Sequence, residues 1–302
     1  MKSVVKKYRK RVALDGLNLS VPRGSTFALV GSNGAGKTTA LAAMMGLLKI
    51  QGGEINILGL GSFHPAIHGG RVSLLPQDAQ LPGHARVREI LRYYGRLQGI
   101  DAGSLPHEVD IWLDRLNLID RANERVHSLS HGMRRRLTIA QAFLGDPELV
   151  LLDEPLNGLD PVETMNIRSL LRRRKASQTL IISSHLLTEL ETTCDHVAII
   201  ENGRTIRQDH IREFQQAETR IVYRVRQGPI PLENLRASIP AIRFERTHEA
   251  AEVAAILPPG SLLPEEVNAR VFSFLTSEGL GLLEIQLGSD LETAYFKARE
   301  NR

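Results

Sequence analysis

GSNGAGKTT, residues 31–39, lies between the apolar run Phe27–Val30 and the helix-like run Ala40–Leu48. It fits G-x-x-x-x-G-K-[ST] with Gly31, Gly36, Lys37 and Thr38 in the fixed places. Glycines let the backbone turn tightly and bring several N–H groups to one point. The helix that begins here adds the positive end of its dipole. Lys37 then reaches outer phosphates and the Thr38 hydroxyl can ligate Mg²⁺. A strand before the loop and a helix after it are the context such a phosphate cradle requires, and both patterns are present.

Further apolar runs follow: RVSLL (71–75), LVLLD (149–153), TLIIS (179–183) and HVAII (196–200). Near-continuous apolar strands belong in a sheet covered on both faces. Helical patterns over Lys37–Leu48, Arg134–Phe143, Pro161–Arg174 and Leu186–Thr192 alternate with them, which predicts an α/β fold with a mostly parallel central sheet. Residues 87 to 130 or so carry helical signals and no convincing strand, so they read as a helical insertion. From residue 218 the character changes. RIVYRVR (220–226) alternates like a strand with one wet face, prolines become frequent, and LLEIQL (282–287) precedes the helix-like DLETAYFKARE (290–300). The expected division is 1–217 for the first domain and 218–302 for a small α+β domain.

A nucleotide site needs an acid for the metal, and LVLLDEP (149–155) supplies one. The strand pattern puts Asp153 at a carboxyl end, where ligands bind in open α/β sheets. Glu154 follows it and can orient or deprotonate an attacking water.

The 302 residues include a single cysteine, Cys194, which excludes a disulfide framework and points to a reducing compartment. No apolar run reaches the ~20 residues of a membrane-spanning helix, and MKSVVKKYRKR does not read as a signal peptide. The formal net charge is +4, with +6 on the first 217 residues and −2 on the rest. That modest excess suits a polyphosphate ligand or an anionic membrane surface, and nucleic acid is not expected.

Taken together, these motifs resemble the ATP-binding-cassette (ABC) ATPases, over about residues 3 to 210. The resemblance supplies further assignments by order and spacing. Tyr8, 23 residues before Gly31, looks like the aromatic on which adenine stacks. Ser32, Asn33, Gly34, Ala35 and Thr39 complete the phosphate loop. Gln77, in LLPQD, looks like the glutamine that senses Mg²⁺ and γ-phosphate. SLSHGM (128–133) looks like the signature, with Ser130 and Gly132 facing the ATP of another cassette. NGLDP (157–161) looks like the dimer-contact loop, with Asp160 at the contact, and His185 in IISSH looks like the switch histidine.

The implied fold is a P-loop NTPase, and the implied cofactors are ATP and Mg²⁺. The implied catalytic set is Glu154, His185, Lys37 and Gln77, with Thr38, Gln77 and Asp153 at the metal. The implied partners are a second cassette, in a homodimer or with a sibling, and a separately encoded membrane permease that holds the chain at the cytoplasmic face of the membrane. The signature departs from the usual leucine-serine-glycine-glycine-glutamine at His131 and Met133, in a form similar to cassettes of small-molecule or polysaccharide exporters. The C-terminal LLEIQLGSDLETAYFKA loosely resembles the tail of exporter-type subunits. A soluble ABC ATPase of translation or DNA maintenance is the alternative; a single cassette, no long coiled coil and no zinc-binding cysteines disfavour it. A module that binds ATP without hydrolysing it is disfavoured by Glu154 and His185.

Overall fold

The computed structural model describes residues 1–288 apart from 10, 173–177, 186–189, 191, 212, 214–218, 227, 248 and 258–261. Most of the helix expected over 186–192, the last two residues of the one expected over 161–174 and the helix expected over 290–300 lie outside the described residues. The chain divides into two compact units, Met1–Asp209 and His210–Arg302.

The first unit is built on a six-stranded sheet. Its strands are β3 (Thr26–Val30), β5 (Val72–Leu75), β6 (Leu149–Leu152), β7 (Thr179–Ser184), β8 (His196–Glu201) and β9 (Arg204–His210), in the order β5-β6-β7-β3-β8-β9. The pairs β5–β6, β6–β7, β7–β3 and β3–β8 are parallel. Every residue of β3, β6 and β7 is buried, as their unbroken apolar sequences require of a sheet covered on both faces. The edge strand β9 follows β8 across the two residues Asn202 and Gly203, which have φ of 50° and 75°. Both lie in the left-handed region that a tight type I′ hairpin needs.

A second, antiparallel sheet was not anticipated. β1 (Lys2–Tyr8), β2 (Arg11–Leu17) and β4 (Gly52–Glu54) pair in the order β2-β1-β4. Its inner side chains Val4, Leu14 and Leu17 join Phe27, Leu29, Leu41, Leu151 and Ile200 in one core. Helix α1 (Lys37–Met44) follows β3, and the short α2 (Pro65–His68) lies ahead of β5. The insertion between β5 and β6 is helical: α3 (Val87–Leu97), α4 (Leu105–Arg115) and α5 (His131–Phe143), the last running back toward β6. Trp112 of α4 packs on Phe143 of α5 with centroids 5.6 Å apart. Helix α6 (Pro161–Arg172) lies between β6 and β7 in the chain, and Cys194 is buried in the same unit.

The second unit is an antiparallel sheet with strand order β11-β12-β10-β13, formed by β10 (Thr219–Val225), β11 (Arg243–Arg246), β12 (Glu252–Leu257) and β13 (Leu282–Gly288). Helices α7 (Leu232–Ser238) and α8 (Pro264–Ser277) contribute Leu235, Val267, Val271 and Leu275 to its core. The alternation in β10 turns Ile221, Tyr223 and Val225 inward, while Arg224 bonds Glu252 on the other face at 2.5 Å.

Candidate active site

The opening stretch forms the turn between β3 and α1. Steric limits explain its glycines. A Cβ on Gly31 would stand 2.3 Å from the Ile200 carbonyl oxygen, and one on Gly36 would stand 2.7 Å from that of Ala13. Gly36 also has φ of 112°, which L side chains rarely adopt. Gly34 has φ of 82°, and its carbonyl accepts a bond of 3.0 Å from Arg11. The loop wraps around the Lys37 ammonium, which donates to the carbonyls of Gly31 at 2.7 Å and Ser32 at 3.3 Å. Ser32, Asn33, Gly34 and Thr38 are exposed, while Ala35 and Lys37 are buried.

Strand β7 lies between β6 and β3, so the acids after β6 do not adjoin the loop directly. The end of β7 fills the gap. Ser183 donates to Asp153 Oδ1 at 2.5 Å and accepts from the Glu154 N–H at 2.8 Å. Glu154 then spans the site: Oε1 is 3.1 Å from Lys37 Nζ, and Oε2 is 2.9 Å from His185 Nδ1. Asp153 and Glu154 are 1% and 5% exposed, so these charges sit in a region of low polarisability and need the partners they have. Glu154 has φ of 48°, an uncommon backbone state for a residue with a side chain.

A cleft of about 370 Å³ opens over these groups, lined by Tyr8, Arg11, Asn33, Gly34, Gly36, Lys37, Thr38, Thr39, Gln77, Glu154 and Asn157. Tyr8 is 43% exposed at the rim, with Lys6 Nζ 4.8 Å from its ring centroid. The expected Tyr8, Lys37, Thr38, Gln77 and Glu154 therefore meet at one cleft, with Asp153 and His185 tied to Glu154. The residues fit a nucleotide polyphosphate with its cation: backbone and lysine nitrogens on one side, the Thr38 hydroxyl and the Glu154 carboxylate on the other, with Asp153 joined to Glu154 through Ser183.

Ser130 and Gly132 do not line this cleft. Ser130 is exposed and caps its own helix α5, accepting from the Met133 N–H at 3.2 Å. Gly132 packs on α6 instead; a Cβ there would meet the Glu163 carboxyl carbon at 2.6 Å. Glu163 pairs with Arg136 at 3.1 Å, and its N–H caps onto Asp160 Oδ1 at 2.8 Å.

Sequence reading missed three groups. Ser183 had a signal, a hydroxyl within an apolar strand. Arg11 had none. The third is the set of three arginines after the signature, each of which donates to a protein carbonyl. Arg134 bonds Leu129, Arg135 bonds Gln77, Glu154 and Pro155, and Arg136 bonds Leu116.

Comparison with known proteins agrees with this geometry. The family model described as ABC transporter matches residues 14–157. An uncharacterized ABC transporter ATP-binding protein of Bacillus subtilis (strain 168) is 32% identical over 71% of this chain and 72% of its own length. A Nod factor export ATP-binding protein I of Burkholderia pseudomallei (strain 1710b) is 35% identical over 89% of this chain and 87% of its own. Among solved structures, an ATP-binding subunit of an ABC transporter superposes with a TM-score of 0.63 at 27% identity, covering 71% of this chain and 90% of that one. The chain belongs to the ABC transporter family as an ATP-binding subunit, an ATPase of the P-loop class.

Proposed function

We propose that this chain hydrolyses ATP as one half of a head-to-tail cassette pair and drives a separately encoded membrane permease, in the direction of export. The observation that carries the catalytic part is the Lys37–Glu154–His185 arrangement beneath the phosphate loop, with its lysine and carboxylate buried and its histidine part-exposed. Tyr8 stacks on the base, and the loop from Gly31 to Thr39 holds the phosphates. Lys37 moves from Glu154 to phosphate oxygen when nucleotide enters, since both anions compete for one ammonium. That frees Glu154 Oε1 to take a proton from a water aimed at the terminal phosphorus. His185 fixes the carboxylate through Oε2. Thr38, Asp153 and Gln77 would hold Mg²⁺, which supplies neutralising charge for the transferring phosphoryl group.

The pairing rests on Ser130. It stands exposed, away from the cleft of its own chain, so its hydroxyl and the adjacent helix N-terminus are free to meet the nucleotide of a second chain. Export is supported by the exporter name carried by one relative. Among the described residues no helix is long and apolar enough to cross a membrane; in this reading the permease is a separate chain that holds this one at the membrane's cytoplasmic face.

Purification of the Glu154→Gln variant from native membranes with ATP tests the whole reading. The expected result is an ATP-dependent dimer, hydrolysis lowered at least about 100-fold, and a polytopic membrane protein in the same complex. Hydrolysis that survives the substitution removes Glu154 as the base. Ribosomal or DNA-repair proteins in place of a membrane chain would instead favour the soluble alternative.

A further inference from the structure

Arg135 lies in the first half of α5, five residues beyond the helix cap Ser130, and its guanidinium reaches three carbonyls on two segments. Nη2 donates to the Glu154 carbonyl at 2.7 Å, Nε to the Pro155 carbonyl at 3.0 Å, and Nη1 reaches the Gln77 carbonyl at 3.4 Å. Glu154 is held from both sides: Ser183 takes its N–H and Arg135 takes its carbonyl. That matters because a non-glycine residue at φ 48° relaxes unless its surroundings fix it.

We propose that Arg135 is a positioning residue that couples the helical insertion to hydrolysis, holding the Gln77 segment and the Glu154 backbone in one fork. This rests on the catalytic role given to Glu154 above. Helix α5 carries both the signature and Arg135, so a shift of the insertion moves the Gln77 and Glu154 carbonyls together. Burial lowers the Arg135 pKa, with Asp153 and Asp78 opposing, which is the cost of placing a cation where only backbone carbonyls receive it. Lysine cannot replace it, because a point charge lacks the planar fork that reaches three acceptors at once. Arg135 does not line the nucleotide cleft, so its loss acts on turnover rather than on nucleotide binding.

The test compares Arg135→Met and Arg135→Lys with wild type in the full chain. Expected for Arg135→Met is a fall in kcat of about 30-fold with KM for ATP changed less than about 3-fold. Added methylguanidinium should restore part of that turnover. Hydrogen exchange on nucleotide-free protein gives a readout without activity: amides of residues 77–80 and 153–159 should exchange faster together, with β3 and α1 unchanged. Unchanged kcat, equal loss in kcat and ATP affinity, or faster exchange throughout the first unit each overturns the proposal. If Arg135→Met does not fold, Arg135→Lys decides. Lowered turnover with wild-type ATP affinity supports the fork, and full turnover refutes it. A wild-type chain that never hydrolyses ATP, with or without its permease, overturns the proposed function and this coupling with it. Wild-type hydrolysis with an inert Arg135 removes this inference alone.

Discussion

Lys37 Nζ and Glu154 Oε1 stand 3.1 Å apart in a pair whose side chains are each 6% exposed. Both ions are nearly stripped of water, so each depends on the other. Removing one partner of a buried pair strands a charge and costs about 3–5 kcal/mol. Lys37→Met should therefore destabilise the nucleotide-free chain by about that amount, less whatever His185 returns to Glu154. Adding Glu154→Gln to Lys37→Met should recover at least about 1 kcal/mol, because the stranded charge is gone. Urea unfolding of the four members of the cycle measures this; strict additivity would mean that the pair contributes nothing.

Gly203 and Gly99 separate close approach from backbone handedness. Both have positive φ, 75° and 84°. A Cβ on Gly203 would lie 2.6 Å from the Ala13 carbonyl oxygen and 2.8 Å from Leu14 Cα, while one on Gly99 would meet nothing within 4 Å. Gly99→Ala should cost about 1 kcal/mol for the left-handed backbone alone. Gly203→Ala should cost about 2–4 kcal/mol, because the β8–β9 turn must lift off β2. The same turn holds the phosphate loop through the Gly203 N–H to the Ala35 carbonyl at 2.9 Å, so ATP affinity should also fall in Gly203→Ala and stay level in Gly99→Ala. Equal stability losses in the two variants would refute the steric account.

Gly132 and Glu163 give a suppressor test. An alanine at 132 would press on the Glu163 carboxyl and push it from Arg136. Gly132→Ala should therefore destabilise the chain, and the loss should shrink by about 1 kcal/mol in a Glu163→Ala background. Thermal unfolding of the single and double variants checks this. A loss that is the same in both backgrounds would mean that the carboxyl simply swings aside.

The parts of the fold that were legible share a physical cause. Strands β3, β6, β7 and β8 are buried on both faces, so their sequences are nearly pure apolar runs. The phosphate loop is legible because sterics leave only glycine at 31 and 36. The N-terminal sheet was not legible: KSVVKKY carries lysines at three of its seven positions, and only Val4 and Lys6 are buried. Lys6 escapes the usual pattern by donating to the Lys49 carbonyl at 2.7 Å, an interaction no local sequence signal announces. The β8–β9 hairpin did carry a signal, Asn202-Gly203 between two strand-like runs. The role of Arg135 was not legible because helix position and charge cannot show which distant carbonyls a guanidinium will meet. The signature residues lie apart from the cleft for a different reason: they were assigned to another chain's nucleotide, and one chain cannot display that contact.

Tyr223 makes the second unit sensitive to alkali. Its hydroxyl donates to Asn268 Oδ1 at 2.6 Å, its ring lies in the core of the sheet, and burial raises its pKa well above the ordinary tyrosine range. The folded unit thus favours the neutral phenol. A group whose folded pKa is raised contributes stability that is complete below its unfolded pKa, about 10 for tyrosine, and is lost as pH rises beyond it. Unfolding free energy should be flat with respect to this group up to that pH. Above it the loss should approach about 1.4 kcal/mol per pH unit while the unfolded tyrosine is ionised and the folded one is not. Tyr223→Phe should lower stability at neutral pH by about 1 kcal/mol through the missing hydrogen bond, and should abolish this alkaline slope. Urea unfolding followed by tyrosinate absorbance across that range checks both effects. An equal alkaline slope in Tyr223→Phe would assign the sensitivity to other groups.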